Sequence, residues 1–272
     1  MQPIEKAVRF VRHSRVLKDA TLLWDIARPI YLQFLRIVAW RGLKRVINGQ
    51  DLVRVAPEMR SIPEVYEPDV WRILRNEVRA GDIIADVGAS VGLYTIVMGQ
   101  RVGPSGRVYA FEPDDRTLRL LRRHIELNGL TGRTKILPYA VGDQNGMIAF
   151  IGDKSVESHV SLSGGNSTTS VRSVTLDSMF PSKRIDVMKI DVEGFEMNVL
   201  AGGRELLNSP TRSPRTIFIE VHPSFWPRYG VTSEALLDLL RRASYEVFDT
   251  DGNIMQQIDR YGEIVAHRKV TS

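Results

Sequence analysis

The 272-residue sequence contains no cysteine. This absence excludes disulfide bonds, thiolate metal sites and enzymes that use a cysteine nucleophile. It is compatible with a reducing compartment, and we expect a cytoplasmic protein.

Long apolar runs are also missing. The stretch 20–40 is rich in leucine, isoleucine and aromatic residues, but it is interrupted by Asp25, Arg28, Pro29 and Arg36. A bilayer span needs about 20 mostly apolar residues, so no membrane-spanning helix is expected. The first twenty residues are basic and periodic, which does not fit a signal peptide.

Acidic residues are scarce at the N-terminus. Residues 1–48 carry ten lysines and arginines and three acidic residues; ten minus three gives +7, against +5 for the whole chain. The remainder is slightly acidic and lacks the positive surface that a nucleic acid requires. We expect no nucleic-acid partner. We expect residues 1–48 to pack on the protein's own core or on a second copy of the chain, with a lid over the acceptor or a peripheral membrane contact as the alternatives.

The sequence divides into three parts. Residues 1–48 predict a basic helical extension of two amphipathic helices, broken at Pro29. Residues 49–80 predict a connector with a strand at 52–55 and a helix at 69–78. Residues 81–272 predict strands that alternate with helices, which indicates a mostly parallel sheet of α/β class.

The predicted elements of the third part are short and regular. Buried strands are expected at 83–87, 108–112, 134–138, 186–190 and 216–221, and helices at 92–101, 114–127, 196–207 and 233–243. The segments 245–249 and 263–268 predict a terminal antiparallel strand pair. The serine-rich stretch 152–170 predicts a polar loop or an irregular hairpin.

The strongest local motif is DVGASVG at 86–92, between a predicted buried strand and a helix. Gly88 and Gly92 permit a tight turn and close approach of a ligand. The helix that follows offers free N–H groups to an anionic group. Asp86 is expected to bind a ligand ammonium or to orient the turn, and it stands where a dinucleotide fingerprint requires glycine.

Acidic residues end the next strands. Glu112 closes the second strand, where a carboxylate can accept hydrogen bonds from a ribose diol; the alternative is an exposed carboxylate at a helix start. Asp143 follows the third strand, where it can accept a hydrogen bond from an adenine amine. Asp191 and Glu193 follow the fourth strand and point to the same crevice, unless they merely pair with Lys189 or begin a helix.

A histidine ends the fifth strand. Alternation places Glu220 and His222 on the same side. Since histidine titrates near neutrality, His222 is the preferred general base, with Asp191 and Glu193 as competitors. The carboxylates are able to bind Mg²⁺, but their spacing does not require a metal.

The chain resembles the FkbM family of methyltransferases through DVGASVGLYT at 86–95, FEP at 111–113, VGD at 141–143, TLD at 175–177 and KIDVEG at 189–194. The resemblance covers roughly residues 66–245. It implies a Rossmann-like class I methyltransferase fold with a mostly parallel sheet and a C-terminal antiparallel strand. It also implies S-adenosylmethionine as the donor and O-methylation of a natural product, a sugar or a lipid-linked glycan.

The resemblance also implies the residues that hold the donor. They are Glu67, Asp86, Gly88, Ala89, Ser90, Gly92, Glu112, Pro113, Val141, Asp143 and Asp191. Ser90 departs from the family, which commonly carries asparagine there. Two alternatives stay open at this point: a catalytically silent S-adenosylmethionine-binding or scaffold protein, and an NAD-dependent oxidoreductase.

Overall fold

The computed structural model describes residues 39–151 and 168–269, the helical positions 33 and 37, and the strand backbone at 159–160. Most of the two helices predicted for residues 1–48, with the break at Pro29, lies outside the described residues. One part of that prediction is wrong, because Leu43–Ile47 forms strand β1. Its inward and outward residues alternate, which is the period of a strand with one covered face.

The first two strands form a hairpin that precedes the main sheet. β1 pairs antiparallel with β2 (Asp51–Val55), which confirms the strand predicted at 52–55. Asn48 and Gly49 in the connecting turn have φ angles of 51° and 67°, as an Asn-Gly turn favours. The inner face of the hairpin packs on the helices of the main domain.

Seven strands build the central sheet. From one edge to the other they are β5 (Thr134–Leu137), β4 (Arg107–Phe111), β3 (Ile83–Val87), β10 (Val187–Ile190), β11 (Thr216–Val221), β13 (Gly262–Arg268) and β12 (Tyr245–Asp249). β13 is antiparallel to both of its neighbours, and the other six strands run in one direction. The α/β class and the mostly parallel sheet with an antiparallel C-terminal strand are therefore confirmed.

The strand order reverses between β3 and β10. From β3 the chain moves through β4 to β5 on one side, and from β10 it moves through β11 on the other. In open α/β sheets, ligands bind beyond the carboxyl ends of the strands at such a reversal. The fold therefore points to this place as the site.

Helices cover both faces of the sheet. On one face lie α1 (Pro68–Glu77), α2 (Leu93–Arg101) and α3 (Asp115–Leu127), together with the hairpin. On the other face lie α4 (Leu176–Met179), α5 (Glu196–Ala201), α6 (Arg204–Asn208) and α7 (Ser233–Arg242). Two short 3-10 turns, Pro57–Met59 and Trp226–Tyr229, complete the connections.

The single helix predicted at 196–207 is wrong, since α5 and α6 are separate. Gly202 and Gly203 stand between them. A Cβ atom at Gly202 would lie 1.9 Å from the carbonyl oxygen of Gly142. The glycine pair thus lets the chain approach the end of a neighbouring strand, which interrupts the helix.

A second sheet was not predicted. Its order is β6 (Ala140–Val141), β9 (Thr168–Val174), β7 (Gly146–Ile151) and β8 (His159–Val160). The stretch 152–170, predicted as a polar loop or an irregular hairpin, contains strand residues at 159–160 and 168–170, and β8 pairs antiparallel with β7, which favours the hairpin alternative. The remaining positions of this stretch lie outside the described residues. β9 reads TTSVRSV and β7 reads GMIAFI. β9 lacks the continuous apolar run expected of a strand buried on both faces, whereas β7 contains the apolar run MIAFI at 147–151, which the sequence prediction did not assign to a strand.

No helix within the described ranges is long and apolar enough to cross a bilayer. At the edge of the described region, Ile37 and Trp40 are 70% and 65% exposed. The expected contact of residues 1–48 with a second copy or a membrane stays a prediction.

Candidate active site

A cavity of about 280 Å³ lies where the strand order reverses. Residues at the carboxyl ends of five strands line it. Gly88 follows β3, Glu112 follows β4, Tyr139 follows β5, Asp191 follows β10, and Glu220 lies near the end of β11. The parallel strands thus bring residues that are far apart in sequence to one place.

The glycine-rich turn after β3 is shaped by close packing. Gly88 has a φ of +80°, and a Cβ atom there would lie 1.7 Å from the carbonyl oxygen of Asp191. Gly92 has a φ of +89°, and a Cβ atom would lie 2.4 Å from Cδ1 of Leu121. Gly88 therefore lets the ends of β3 and β10 touch, while Gly92, which does not line the cavity, lets α2 pack on α3.

Asp86 lies buried beneath this turn and does not line the cavity. Its Oδ2 accepts a hydrogen bond of 2.5 Å from Oγ1 of Thr95 in α2. Burial raises the pKa of Asp86 to about 6, although the Lys189 ammonium and the Thr95 hydrogen bond act in the opposite direction. Of its two predicted roles, this geometry favours orienting the turn.

Glu112 connects the glycine-rich turn to the next helix. It is 5% exposed; its Oε2 accepts from the backbone N–H of Ser90 at 2.8 Å, and its Oε1 from that of Asp114 at 2.8 Å. Burial raises its pKa to about 7, against the lowering effect of these hydrogen bonds. A carboxylate oxygen accepts more than one hydrogen bond, so both oxygens keep acceptor capacity toward the cavity.

Ser90 offers a second polar group to the cavity. Its Oγ is buried and has no hydrogen-bond partner among the described residues. Its φ of 49° lies in the left-handed region, which asparagine adopts more readily than serine. This backbone conformation gives a physical reason for the asparagine that the family commonly carries here.

Lys189 is the cation at the centre of the site. It is 2% exposed, and its Nζ lies 3.2 Å from Oδ2 of Asp191 and 3.9 Å from Oε2 of Glu220. Burial lowers its pKa, but the surrounding carboxylates raise it by more, so the ammonium stays charged. In return, Lys189 holds the pKa of Asp191 below its usual range despite burial.

His222 lies one layer behind the cavity wall. Its Nδ1 lies 2.8 Å from Oε1 of Glu196, and its Nε2 lies 3.3 Å from Oε2 of Glu193. Burial lowers its pKa, but Glu196, Glu193 and Asp191 raise it to about 9 in total. A histidine that carries its proton at neutral pH is poorly suited to the predicted role of general base.

Glu220 is an acidic residue at the same end of the cavity, and its pKa is also raised. It lines the cavity, and Tyr261 donates a hydrogen bond to its Oε1. Burial and the nearby Asp191 raise its pKa to about 8, while Lys189 lowers it. With such a pKa, Glu220 is mostly protonated at neutral pH and becomes a good proton acceptor only from about pH 8 upward.

Backbone strain concentrates around the cavity. Five described residues other than glycine have positive φ angles, and three of them, Glu67, Ser90 and Glu193, line it. Glu67 has φ 37° and ψ 62° at the start of α1, and its Oε2 accepts a 2.6 Å hydrogen bond from the Tyr94 hydroxyl. Such conformations cost energy and tend to occur at functional sites.

The far end of the cavity is apolar. Phe111 comes from β4 of the central sheet, and Val141 and Phe150 come from β6 and β7 of the second sheet. Phe150 packs with Phe195, whose ring lies 5.3 Å from that of Tyr229. The cavity thus has an aromatic end and a carboxylate-rich end.

The structure brings most of the predicted site residues together. Those that line the cavity are Glu67, Gly88, Ser90, Glu112, Pro113, Val141, Asp191 and Glu193. Those that lie outside its lining are Asp86, Ala89, Gly92, Asp143 and His222. Asp143 is exposed, so its predicted contact with an adenine amine has no support in this geometry.

Sequence reasoning missed several groups of the site. Tyr261 and Glu263 reach it from the start of β13, and Tyr94 reaches it from α2. No motif marks Tyr261 and Glu263, because they approach the site only once β13 lies beside β11, whereas Tyr94 lies within the motif at 86–95 but was not singled out. Glu196 fits an ordinary helix-start acid by sequence, yet it is fully buried.

Comparison with known proteins identifies relatives of this chain. The sequence model of the methyltransferase FkbM domain matches residues 86–247, more than half of the chain. The hexuronic acid methyltransferase AglP of Haloferax volcanii is 24% identical over 180 residues, covering 62% of this chain and 71% of that protein. The AMB antimetabolite synthetase AmbE of Pseudomonas aeruginosa is 28% identical, covering 66% of this chain and 10% of that protein.

A further relative and two solved structures also match this chain. Methyltransferase 1 of Beauveria bassiana is 25% identical, covering 44% of this chain and 57% of that protein. A SAM-dependent O-methyltransferase from Thermotoga maritima has a TM-score of 0.46 at 18% identity, covering 79% of this chain and 70% of that one. An O-methyltransferase from Bacillus cereus, in complex with SAH, has a TM-score of 0.44 at 16% identity, and the match covers 79% of this chain and 86% of that one. The fold itself is assigned from the strand order and strand directions of the central sheet.

Proposed function

Because this chain belongs to the FkbM methyltransferase family, we propose that it transfers the methyl group of S-adenosylmethionine to a hydroxyl group of a small molecule or sugar. Its fold is the Rossmann-like class I methyltransferase fold. One observation carries the proposal. Glu112, the acidic residue expected to bind the ribose, lines the same cavity as the carboxylates Asp191 and Glu220, at the place where the strand order reverses.

The described residues fit the donor. Glu112 has free acceptor capacity for the two ribose hydroxyls, and the buried Oγ of Ser90 lacks a partner that a bound nucleoside would supply. Phe111, Val141 and Phe150 offer the flat apolar surface that an adenine ring prefers. When bound, S-adenosylmethionine supplies a methyl group on a positively charged sulfur.

The carboxylate-rich end suits the positive charge of the donor. Asp191 keeps a lowered pKa and therefore stays ionised. Together with Glu67 and Glu193 it presents negative charge toward the cavity. We expect these side chains to hold and orient the charged end of the donor, since alignment supplies most of the rate of a methyl transfer.

The proton of the acceptor hydroxyl needs a base at the same end. Glu220 lines the cavity with a pKa raised to about 8, and Glu193 lies beside it. His222 carries a proton at neutral pH and lies behind Glu193. We therefore propose Glu193 as the base, positioned by His222, with Glu220 able to take this role only from about pH 8 upward.

Calorimetric titration tests donor binding. We expect S-adenosylmethionine and S-adenosylhomocysteine to bind at micromolar levels and NAD to give no heat. Binding of NAD alone would contradict the proposal and support the oxidoreductase alternative.

Methyl transfer is tested with labelled donor and a metabolite extract. We expect label in an O-methyl product, and a decrease on the order of 10²-fold for Asp191→Asn. The exposed Glu205→Gln serves as the matched control and should keep full activity. Donor binding without label transfer into any fraction would instead support a catalytically silent binding protein.

A further inference from the structure

Three potential metal ligands meet just beyond the ends of β10 and β11. They are Asp191, Glu193 and His222, and one ligand atom of each lies within 4.8 Å of the others. The closest measured approach joins Nε2 of His222 to Oε2 of Glu193 at 3.3 Å. Asp191 and Glu193 also line the cavity, so a group held here would reach it.

The imidazole of His222 is oriented as in many metal sites. Glu196, which is fully buried, faces Nδ1 at 2.8 Å. The same carboxylate accepts hydrogen bonds of 2.8 Å from the Gly194 backbone N–H and from Nε1 of Trp226. Because the carboxylate only accepts, Nδ1 must donate, and Nε2 is the nitrogen that faces Glu193. A carboxylate behind a histidine is the usual outer partner of a metal-binding histidine.

An unpartnered carboxylate beside this group is a separate indication of a cation. Both oxygens of Glu263 are buried and have no hydrogen-bond partner within the described part of the chain. A carboxylate oxygen of Glu263 lies within 4.8 Å of carboxylate oxygens of Glu67 and Glu220. Oε1 of Glu220 lies 3.8 Å from Nε2 of His222, so the two groups are adjacent. Lys189 and His222 act on Glu263 electrostatically but donate no hydrogen bond to it, so a bound divalent cation would compensate its buried oxygens more fully.

We propose that Asp191, Glu193 and His222 bind a divalent cation, which displaces the proton from Nε2 of His222 into solvent, with Glu196 as the outer partner of the histidine. One imidazole and two carboxylates suit Mn²⁺ or Mg²⁺ rather than a soft metal. Three protein ligands leave coordination positions free toward the cavity. If the proposed function holds, an acceptor hydroxyl would occupy one of them; cation binding itself does not depend on that function.

Electron paramagnetic resonance with Mn²⁺ alone tests the site on the full chain without donor. We expect one Mn²⁺ per chain, with spin-echo modulation from an imidazole nitrogen. His222→Gln should abolish the nitrogen modulation, and Glu193→Gln should weaken Mn²⁺ affinity at least about 10-fold. Glu196→Gln should weaken it about 10-fold to 100-fold although it contacts no metal.

Two controls make the result decisive. Asp259→Asn removes an exposed carboxylate elsewhere and should leave Mn²⁺ affinity unchanged. Circular dichroism in EDTA shows whether each variant is folded, and a variant that is unfolded is replaced by Asp191→Asn at the same site. Absence of stoichiometric Mn²⁺ in the folded wild-type chain would overturn the proposal.

A second outcome would also overturn the proposed cation site. If Glu263→Gln lost Mn²⁺ and Glu193→Gln kept it, the cation would lie among Glu67, Glu220 and Glu263 instead. Calorimetry with S-adenosylmethionine in EDTA separates this outcome from the proposed function. Donor binding without any Mn²⁺ binding would refute the cation site alone, and Mn²⁺ binding without donor binding would refute the methyltransferase proposal alone.

Discussion

At the scale of single residues, the site depends on charged groups that are buried and yet held by several partners. Glu112 is an example, since one carboxylate satisfies the backbone N–H groups of both Ser90 and Asp114. Glu196 likewise accepts hydrogen bonds from three groups, namely the Gly194 backbone N–H, Nδ1 of His222 and Nε1 of Trp226. Such side chains fix the positions of loops, and under the proposals above they also position bound groups, so their replacement should affect both.

Glu112→Gln tests this double role. The amide keeps the size of the side chain, but its NH₂ group cannot accept from one of the two backbone donors. Hydrogen bonds to charged groups contribute about 1.5–3 kcal/mol, so donor affinity should fall roughly 10-fold to 100-fold. Calorimetric titration with S-adenosylmethionine measures this change. Asp115→Asn, at an exposed neighbouring position, is the control, and equal affinities for the two variants would contradict the assignment.

At the scale of elements, the contact between β3 and β10 determines the shape of the cavity. Gly88→Ala places a Cβ atom against the Asp191 carbonyl, in addition to the cost of a positive φ. Gly129 has a φ of +67° with nothing within 4 Å of its Cβ position, so Gly129→Ala carries the backbone cost alone. That cost is about 1–2 kcal/mol.

We expect Gly88→Ala to lower the free energy of unfolding by clearly more than Gly129→Ala, by at least about 3 kcal/mol in total, because the backbone must shift. Urea unfolding of both variants measures the difference. Equal losses would show that the strand ends do not need this close contact.

His124 connects three segments on the face of the central sheet that α1, α2 and α3 cover. From α3, its Nδ1 contacts the Val91 carbonyl at 2.6 Å, and its Nε2 accepts from the Ala56 N–H at 2.9 Å. Burial lowers its pKa, so it stays neutral. His124→Leu would leave both backbone groups without a partner, at about 1–3 kcal/mol each. Urea unfolding should show this loss, and His124→Gln, which can both donate and accept, should recover part of it; a Leu variant as stable as the wild type would contradict the bridge.

The sequence predicted the central sheet well because its strands are continuous apolar runs bounded by turn residues. It predicted Gly88, Glu112, Asp191 and Glu193 near one cavity, since parallel strands end at one edge. The second sheet escaped prediction because β9 consists largely of serine and threonine. Tyr261 and Glu263 escaped because only tertiary pairing brings β13 to the site.

At the scale of the whole molecule, buried acids determine how stability varies with pH. Burial raises the pKa of Asp86 to about 6 and that of Glu112 to about 7. The folded chain therefore keeps protons that the unfolded chain releases from about pH 4 upward. Each group then lowers stability as the pH rises through its folded pKa, by on the order of 2–3 kcal/mol.

We expect the free energy of unfolding without ligand, in EDTA, to fall between pH 5.5 and pH 8. Urea unfolding at several pH values measures the slope. Asp86→Asn and Glu112→Gln should each flatten it, since they remove a titrating group. A wild-type stability that rises steadily over this range would contradict the raised pKa values. His124 has the opposite effect below about pH 6.5. There the unfolded chain protonates this histidine and the folded chain does not, so the free energy of unfolding decreases as the pH falls.

The placement of β13 also constrains the order of events during synthesis. β12 precedes β13 in the chain, yet β13 lies between β12 and β11. Until the ribosome has released residues 262–268, β12 has no neighbour to pair with and β11 has an open edge. Tyr261 and Glu263 arrive with that strand, so a nascent chain acquires the complete carboxylate-rich end of its pocket only when this late strand is inserted.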